Sequence, residues 1–199
     1  MSLDAQYFAE LYAGNDDPWA FRTRWYERRK RDLVYASLPR QCYARVFEPA
    51  CANGELSALL AERCASLVCQ DIDATAVALA RQRLADVPHA SVEQAHLPAD
   101  WPGGQFDLIV LSEIGYYLDP TDWLQVIERA VASLTYDGGL LACHWRHPIA
   151  GCPQDGNEAH ALLAERLPLY RQLRHEEADF VLEYWSCQPS VVDLDETCP

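Results

Sequence analysis

Hydrophobic positions along the chain follow two spacings, one typical of helices and one typical of strands. Amphipathic runs with helical spacing cover residues 55–63, 74–85, 120–134 and 157–166. Short apolar runs stand between them, at residues 46–47, 67–69, 90–94, 106–111 and 140–145. The near-continuous run at 106–111 is typical of a strand buried on both faces. This alternation of strand and helix predicts a mainly parallel sheet with helices on both faces.

Both ends of the chain depart from the alternation. At the amino end, helical patterns over residues 4–13 and 19–38 precede the first strand, so we expect them to cover the sheet. At the carboxyl end, β-like runs at 169–174 and 180–186 follow each other closely. Two such runs predict an antiparallel hairpin at the end of the sheet.

The elements suit one domain with one core. The chain has 199 residues, which is within the usual size of a domain, and 50% of them are hydrophobic. We therefore expect a single doubly wound α/β domain over residues 1–199. Its parts are an N-terminal helical cover over 1–40 and an α/β core over 41–190.

The segment 45–73 carries the clearest chemical pattern. A short apolar run ends on Glu48, small residues follow as far as Gly54, and a helix and a second apolar run lead to Asp71. The order of strand, tight turn, helix, strand and acid is the first half of a nucleotide-binding α/β unit. Because an acid about 20 residues past such a turn can accept both hydroxyls of a ribose, we expect Asp71 to do so.

The glycine content of the turn narrows the choice of ligand. Gly54 is the one glycine where a dinucleotide fingerprint has three, and Ala50 and Ala52 stand at the other small positions. A pyrophosphate needs close approach of the backbone, whereas a nucleoside without phosphates needs less. The turn therefore favours S-adenosylmethionine over NAD. An NAD-linked oxidoreductase and an ordinary turn of an α/β domain remain as alternatives.

Charge and cysteine content limit the partners and the compartment. The net charge is −14, from 30 acidic and 16 basic residues, which disfavours nucleic-acid binding. No long apolar run predicts a membrane span, and the first residues lack the pattern of a signal peptide. The eight cysteines form no CxxC pair and no zinc-ligand spacing. We therefore expect reduced thiols, no metal site and a cytoplasmic protein.

Polar residues follow the fourth and fifth predicted strands, and ligands in open α/β sheets gather at these carboxyl ends. Ser112 and Glu113 end the fourth strand, Tyr117 follows, and His144 lies at the end of the fifth. Glu113 and His144 are candidates for orienting a substrate and taking its proton. Tyr117 is a candidate for the wall of the acceptor pocket. A surface carboxylate and plain core side chains are the alternative interpretations.

The N-terminal cover offers a group for the cofactor's own carboxylate. Trp19, Arg22, Tyr26 and Arg29 share a spacing of three to four residues, which predicts one helical face. An arginine on this face, Arg29 above all, could hold a carboxylate in a two-point clamp. The alternative is a solvated basic helix whose aromatic side packs on the sheet.

Five stretches together resemble a known family: DPWAFRTRWYERRK, EPACANG, FDLIVLSEIGYYL, GGLLACHWRHPIAG and RHEEADFVLEYW. They resemble class I S-adenosylmethionine-dependent methyltransferases, and more narrowly the nodulation protein S (NodS) group of N-methyltransferases. The resemblance implies a Rossmann-like, seven-stranded, mostly parallel sheet with an antiparallel C-terminal hairpin. It also implies methylation of an amine, which in rhizobia belongs to a deacetylated chitooligosaccharide.

The resemblance also assigns cofactor residues. Glu48, Ala50 and Gly54 fall in the cofactor turn and Asp71 in the ribose position. The rest of the expected cofactor set is Trp19, Tyr26, Arg29, Ile72, His96, Leu97 and Ser112.

Two positions depart from the family pattern. Ala50 stands where glycine is usual, and His96 stands where an acid often contacts the adenine amino group. A neutral histidine can still accept a hydrogen bond there, and a solvent-facing loop histidine is the alternative.

The expected function is an S-adenosylmethionine-dependent methyltransferase for a small-molecule or sugar amine. An enzyme acting on oxygen, sulfur or a carboxylate, and a weakly active module that only binds the cofactor, remain as alternatives.

Overall fold

A seven-stranded sheet lies at the centre of the computed structural model, which describes residues 1–192. Its strands are β1 (Tyr43–Pro49), β2 (Cys64–Asp71), β3 (Ala90–Gln94), β4 (Phe106–Ser112), β5 (Leu134–Trp145), β6 (Tyr170–Glu176) and β7 (Phe180–Ser186). Their order is β3-β2-β1-β4-β5-β7-β6, and β7 runs antiparallel to both of its neighbours. The predicted doubly wound, Rossmann-like sheet with an antiparallel C-terminal hairpin is confirmed.

Four of the six helices described begin where the sequence supplies a capping carboxylate. They are α1 (Ala5–Tyr12), α2 (Trp25–Ala36), α3 (Glu55–Ala61), α4 (Ala74–Arg83), α5 (Pro120–Ser133) and α6 (Gly156–Arg166). The side chains of Asp4, Asp73, Asp119 and Asp155 accept first-turn N–H groups of α1, α4, α5 and α6. These caps satisfy amides that have no partner inside the helix.

Alternating side chains of the strands build two cores, one on each face of the sheet. In β4, Leu108 and Val110 pack with residues of α2, α3 and α4, whereas Ile109 and Leu111 pack with residues of α5 and α6. Successive side chains of a strand point to opposite faces, so a strand covered on both faces must be apolar throughout. This is why residues 106–111 form a near-continuous apolar run, interrupted only by Asp107 near the start of the strand.

The second helix starts six residues later than predicted. Asp17 accepts the N–H groups of Phe21 and Arg22 at 2.8 and 3.0 Å, and Ala20 takes a left-handed backbone with φ of 58°. These bonds form a turn before α2, which begins at Trp25. Trp19 and Arg22 therefore lie before α2, and the prediction that they share one helical face with Tyr26 and Arg29 is wrong.

The fifth strand starts earlier than predicted, at Leu134 instead of residue 140. Leu134 pairs with Phe106, but the next pair along β4 is Leu108 with Gly139. The intervening residues bulge out of the ladder, so Asp137 and Gly138 lie in an irregularity inside one strand.

The strand order indicates where a ligand would bind. Connections lead in one direction from β1 to β2 and β3 and in the other from β4 to β5, so the order reverses between β1 and β4. Ligands of doubly wound folds bind outside the carboxyl ends of the strands at such a point.

Candidate functional site

A cavity of about 380 Å³ lies at the carboxyl ends of the strands, and the N-terminal helices cover it. From the strand ends and their loops it is lined by Ala50, Ala52, Gln70, Asp71, Ile72, Ala95, His96, Leu97 and Glu113. From the cover it is lined by Tyr7, Phe8, Tyr12, Trp19, Phe21, Arg24, Tyr26, Glu27 and Lys30. A smaller cavity of about 50 Å³ shares some of these residues and adds Arg31, Glu48 and Ser112. The predicted helical cover therefore forms one wall of the site.

The turn after β1 has the backbone of a glycine-rich loop without most of its glycines. Ala50, Ala52 and Gly54 all have left-handed backbones, with φ of 55°, 48° and 79°. Gly54 does not line the cavity, because it faces α4, where an added Cβ would lie 3.1 Å from the Cα of Ala80. Gly54 therefore shapes the turn, whereas the two alanines face the cavity.

Ala52→Gly should raise the free energy of unfolding by about 0.5–1 kcal/mol. A left-handed backbone costs a residue with a Cβ about 1–2 kcal/mol, and glycine removes this strain. The greater freedom of glycine in the unfolded chain offsets about 0.5–1 kcal/mol of the stability gained. Chemical denaturation measures the change. Ala58→Gly inside α3 is the matched control, and it should destabilise the protein. Destabilisation by both variants would contradict the expected strain.

Asp71 ends β2 and is held in one orientation. Its Oδ2 accepts the N–H of Ala52 at 2.9 Å and its Oδ1 accepts the N–H of Asp73 at 3.0 Å. Burial raises the pKa of Asp71 to about 6, although these hydrogen bonds act to lower it. A carboxylate has about four acceptor positions, so two remain for a ligand in the cavity that it lines.

Glu48, near the end of β1, is buried more deeply than Asp71. It is buried, faces the smaller cavity with Ser112, and accepts a long hydrogen bond of 3.7 Å from the Sγ of Cys69. Burial raises the pKa of Glu48 to about 7, because a carboxylate loses its hydration there.

Glu48→Gln should flatten the dependence of stability on pH. The folded protein binds the Glu48 proton more tightly than the unfolded chain, so this contribution is complete below pH 4.5 and is lost as the pH rises to about 7. The wild type should lose about 2–3 kcal/mol more than the variant across this window. Urea unfolding at pH 4.5, 6 and 7.5 tests it, and parallel curves for the two proteins would contradict it.

A buried charge cluster joins α2 to the end of β4. The Nζ of Lys30 lies 2.6 Å from Oε1 of Glu113 and 2.9 Å from Oε2 of Glu27. The side chains of Lys30 and Glu27 are only 6% and 7% exposed, so water screens these pairs weakly. Burial alone would lower the pKa of Lys30, but the carboxylates of Glu113 and Glu27 outweigh it and raise the pKa. The cluster therefore carries two negative charges against one positive charge.

Glu113 is fixed by donors from three elements. Besides Lys30, the hydroxyl of Tyr116 donates to its Oε2 at 2.5 Å and the N–H of Trp145 donates at 3.0 Å. Its backbone is left-handed, with φ of 55°. A non-glycine residue in this conformation is strained, and such strain is concentrated at functional sites.

Aromatic side chains from the N-terminal helices and from the turn after β4 also line the cavity. The ring of Tyr117 lies 5.0 Å from Phe8 and 6.1 Å from Tyr7, centroid to centroid. Burial raises the pKa of Tyr117, so it stays a neutral phenol near neutral pH. The hydroxyl of Tyr26 is buried beside the cavity without a hydrogen-bond partner among the described residues, so it is available to a ligand.

Comparison with known proteins decides the family. Residues 8–170 match the family model described as nodulation protein S (NodS). The chain belongs to the NodS family. Nodulation protein S of Bradyrhizobium diazoefficiens is 30% identical over 152 residues, which are 73% of this chain and 70% of that protein.

Solved structures agree with the family assignment. N-methyltransferase NodS from Bradyrhizobium japonicum WM9, in complex with S-adenosyl-L-homocysteine, superposes with a TM-score of 0.80 at 27% identity, covering 92% of this chain and 97% of that one. A putative methyltransferase from Pseudomonas syringae is 60% identical with a TM-score of 0.74, covering 82% and 99%. The predicted methyltransferase class and its cofactor, S-adenosylmethionine, are confirmed.

Three predicted site residues of this NodS family member line neither cavity. Gly54 faces α4, as described above. Arg29 points to the C-terminal hairpin, where its two Nη atoms bind the carboxylate of Glu177 at 2.8 and 2.6 Å. His144 is fully buried and bonded to Gly115 and His160. The predictions that Arg29 contacts the cofactor and that His144 contacts the acceptor are corrected, because other groups of the chain occupy both side chains.

The other predicted residues are brought together. Trp19, Tyr26, Ala50, Asp71, Ile72, His96, Leu97, Glu113 and Tyr117 line the larger cavity, and Glu48 and Ser112 line the smaller one. Their roles toward cofactor or acceptor stay predictions.

Sequence reasoning missed several groups of the site, among them Glu27, Lys30 and Tyr12. The first two lie in the stretch WYERRK that carried the family resemblance, and their spacing of three residues places them on one helical face. That spacing was the available signal. Nothing in the sequence indicated that the pair turns toward Glu113.

Three expectations drawn from composition concern membrane spans, metal sites and cysteines. No helix within residues 1–192 is long and apolar enough to cross a membrane. In the same part of the chain, no group of three or more His, Cys, Asp or Glu side chains could hold a metal ion. Cys42 is disulfide-bonded, so the prediction that every cysteine is a reduced thiol is wrong at this position.

Proposed function

We propose that this NodS family member transfers the methyl group of S-adenosylmethionine to the nitrogen of a small-molecule or sugar amine. The observation that carries the proposal is the wall formed by Glu27, Lys30 and Glu113, whose two carboxylates exceed the single ammonium by one negative charge. A surplus negative charge in a water-poor cavity favours a cationic or hydrogen-bond-donating partner such as an amine.

The residues of the cavity fit the cofactor. Its left-handed turn at Ala50 and Ala52 leaves the backbone open to close approach, and Asp71 has free acceptor positions for the two ribose hydroxyls. Ile72 and Leu97 would flank the adenine, with His96 at its edge. This set of contacts is our proposal for the nucleoside end.

The smaller cavity would take the amino-acid end of the cofactor. It combines a cation, Arg31, with Glu48 and Ser112. Arg31 binds the carbonyl of Phe21 through Nη1 at 2.7 Å, which leaves the rest of its guanidinium for a carboxylate. Arg31 therefore takes the role that sequence reasoning gave to Arg29.

Chemically, the chain needs to align the acceptor and exclude water, because bound S-adenosylmethionine supplies a methyl group already activated by its sulfonium. Glu27 would contact the acceptor amine and accept the proton that its nitrogen releases once methylated. The bond formed is nitrogen–carbon, the bond broken is that between sulfur and the methyl group, and S-adenosylhomocysteine leaves. Glu113 has most of its acceptor positions filled by Lys30, Tyr116 and Trp145 and would hold Tyr116 against the acceptor.

The aromatic wall indicates the shape of the acceptor. Tyr7, Phe8 and Tyr117 line the same cavity as the charged cluster, with the rings of Phe8 and Tyr117 edge to face. Aromatic rings suit the apolar side of a sugar ring or of a hydrocarbon group while the amine reaches the carboxylates. We therefore propose an amino sugar as the first class of acceptor to test.

The test uses methyl-labelled S-adenosylmethionine with matched pairs of acceptors, each amino sugar beside the same sugar with a hydroxyl in place of the amine. We expect label in the amine of each accepted pair and none in the hydroxyl analogue. Glu27→Gln should lower kcat/KM for the amine at least about tenfold, because a charged hydrogen bond is worth about 1.5–3 kcal/mol. Equal labelling of both members of a pair would favour the oxygen-directed alternative.

A further inference from the structure

A row of hydrogen-bonded, buried side chains leads away from the site: His144 of β5, His160 of α6 and Glu183 of β7. The N–H of Gly115 donates to Nε2 of His144 at 2.9 Å, and Nδ1 of His144 lies 3.0 Å from Nε2 of His160. Nδ1 of His160 lies 2.6 Å from Oε2 of Glu183. His144, His160 and Glu183 are 0%, 3% and 0% exposed, so none of these bonds competes with water.

The two ends of this row fix where its protons lie. Gly115 can only donate, so Nε2 of His144 carries no proton and the proton of the neutral ring is on Nδ1. That proton faces Nε2 of His160, whose own proton must then be on Nδ1, facing Glu183. Each donor therefore meets an acceptor with both rings neutral. Burial lowers the pKa of His144, which agrees with a neutral ring.

The far end of the row is anchored at the sheet edge. Oε1 of Glu183 accepts from Arg171 at 2.9 Å and from Arg174 at 2.7 Å. Burial would raise the pKa of Glu183, but its bonds to His160 and Arg174 outweigh burial and lower it. Glu183 thus stays ionised and holds His160 in the tautomer that the row requires.

At its near end, the row holds the 3-10 turn Gly115–Tyr117. The carbonyls of Gly115 and Leu118 accept from Nε2 of Gln154 at 2.8 and 3.0 Å, while His144 holds the N–H of Gly115. A Cβ at Gly115 would lie 2.9 Å from Cβ of Ala159, so the turn is also tightly packed. This turn carries Tyr116 and Tyr117 into the cavity.

We propose that His144, His160 and Glu183 are positioning residues for methyl transfer, which hold the Gly115–Tyr117 turn so that its tyrosines and Glu113 keep their orientation in the acceptor wall. The inference rests on the proposed function, since Tyr117 and Glu113 are there assigned to the acceptor side. The nucleoside side of the cavity is built by the loops after β1, β2 and β3. The hydrogen-bonded row of His144, His160 and Glu183 does not contact these loops.

The test compares two substitutions at one position. His144→Phe keeps a ring but removes both nitrogens, whereas His144→Gln keeps an oxygen that can accept from Gly115. We expect His144→Phe to lower kcat about tenfold or more, as loss of one buried hydrogen bond implies, with S-adenosylhomocysteine affinity within about twofold of wild type. His144→Gln should recover most of the lost kcat.

A second readout needs no acceptor. Amide hydrogen exchange of residues 113–119 in the intact protein should be faster in His144→Phe and close to wild type in His144→Gln. Wild-type kcat and exchange in His144→Phe, or a His144→Gln variant as impaired as His144→Phe, would overturn the proposal. An equal loss of cofactor affinity would do so as well.

Two further outcomes keep the test decisive. If His144→Phe shows no cooperative unfolding, Glu183→Gln replaces it, and unchanged kcat and exchange in that variant overturn the proposal. If the wild type methylates no amine, the proposed function fails. The exchange measurements then decide by themselves whether the turn is held by His144.

Discussion

Lys30→Met should destabilise the protein by about 3–5 kcal/mol, the cost of leaving buried charges without their partner. The ammonium of Lys30 lies 2.9 and 2.6 Å from Glu27 and Glu113, and its side chain is only 6% exposed. Without it, two carboxylates repel each other where water can hardly reach them. Guanidinium denaturation at neutral pH measures the loss.

A combined variant separates charge from packing. Glu27→Gln and Glu113→Gln added to Lys30→Met remove all charge from the cluster while keeping its volume, so most of the stability should return. Methyl transfer should not return with it, because the acceptor wall then has no carboxylate. A loss below about 1 kcal/mol in Lys30→Met alone would contradict the buried cluster, since exposed pairs contribute about that much.

Asp71→Asn should weaken binding of S-adenosylhomocysteine about 10- to 150-fold, equivalent to about 1.5–3 kcal/mol for hydrogen bonds to a charged group. An amide keeps the shape of the side chain but has one acceptor oxygen instead of two. It can therefore serve either the N–H of Ala52 or a ribose hydroxyl well, but not the full set. Isothermal calorimetry measures the affinity directly.

Asp107→Asn is the matched control for that experiment. Asp107 also accepts two backbone N–H groups, those of Ala44 and Arg45 at 2.6 and 2.8 Å, but near the opposite end of the sheet. It should cost stability and leave cofactor affinity unchanged. Equal losses of affinity in the two variants would show that Asp71 acts through the fold and not through the ribose.

Several features of the site followed from the sequence because they depend on local order. Asp71 could be placed because a strand, a turn, a helix and a second strand bring an acid back to the same edge of the sheet, whatever the details of packing. The turn at Ala50 was recognised from residue size alone. Ser112 and Glu113 were placed because they end an apolar strand.

The errors have a common physical origin in contacts between distant segments. Arg29 has the charge that a carboxylate clamp needs, but its guanidinium is bonded to Glu177, 148 residues further along the sequence. His144 is at the expected strand end, yet its side chain faces α6 and meets His160. Alternation along a strand gives two possible faces, and a sequence alone does not say which face a neighbouring helix covers.

Local periodicity, caps and the order of elements were enough to determine the doubly wound sheet, its antiparallel hairpin and the edge of the sheet at which the cavity lies. The tertiary structure alone decided which charges meet there: Lys30 between Glu27 and Glu113, and Arg29 with Glu177. Secondary structure depends on neighbours a few residues apart, whereas the partner of a buried charge is set by whichever distant segment packs against it.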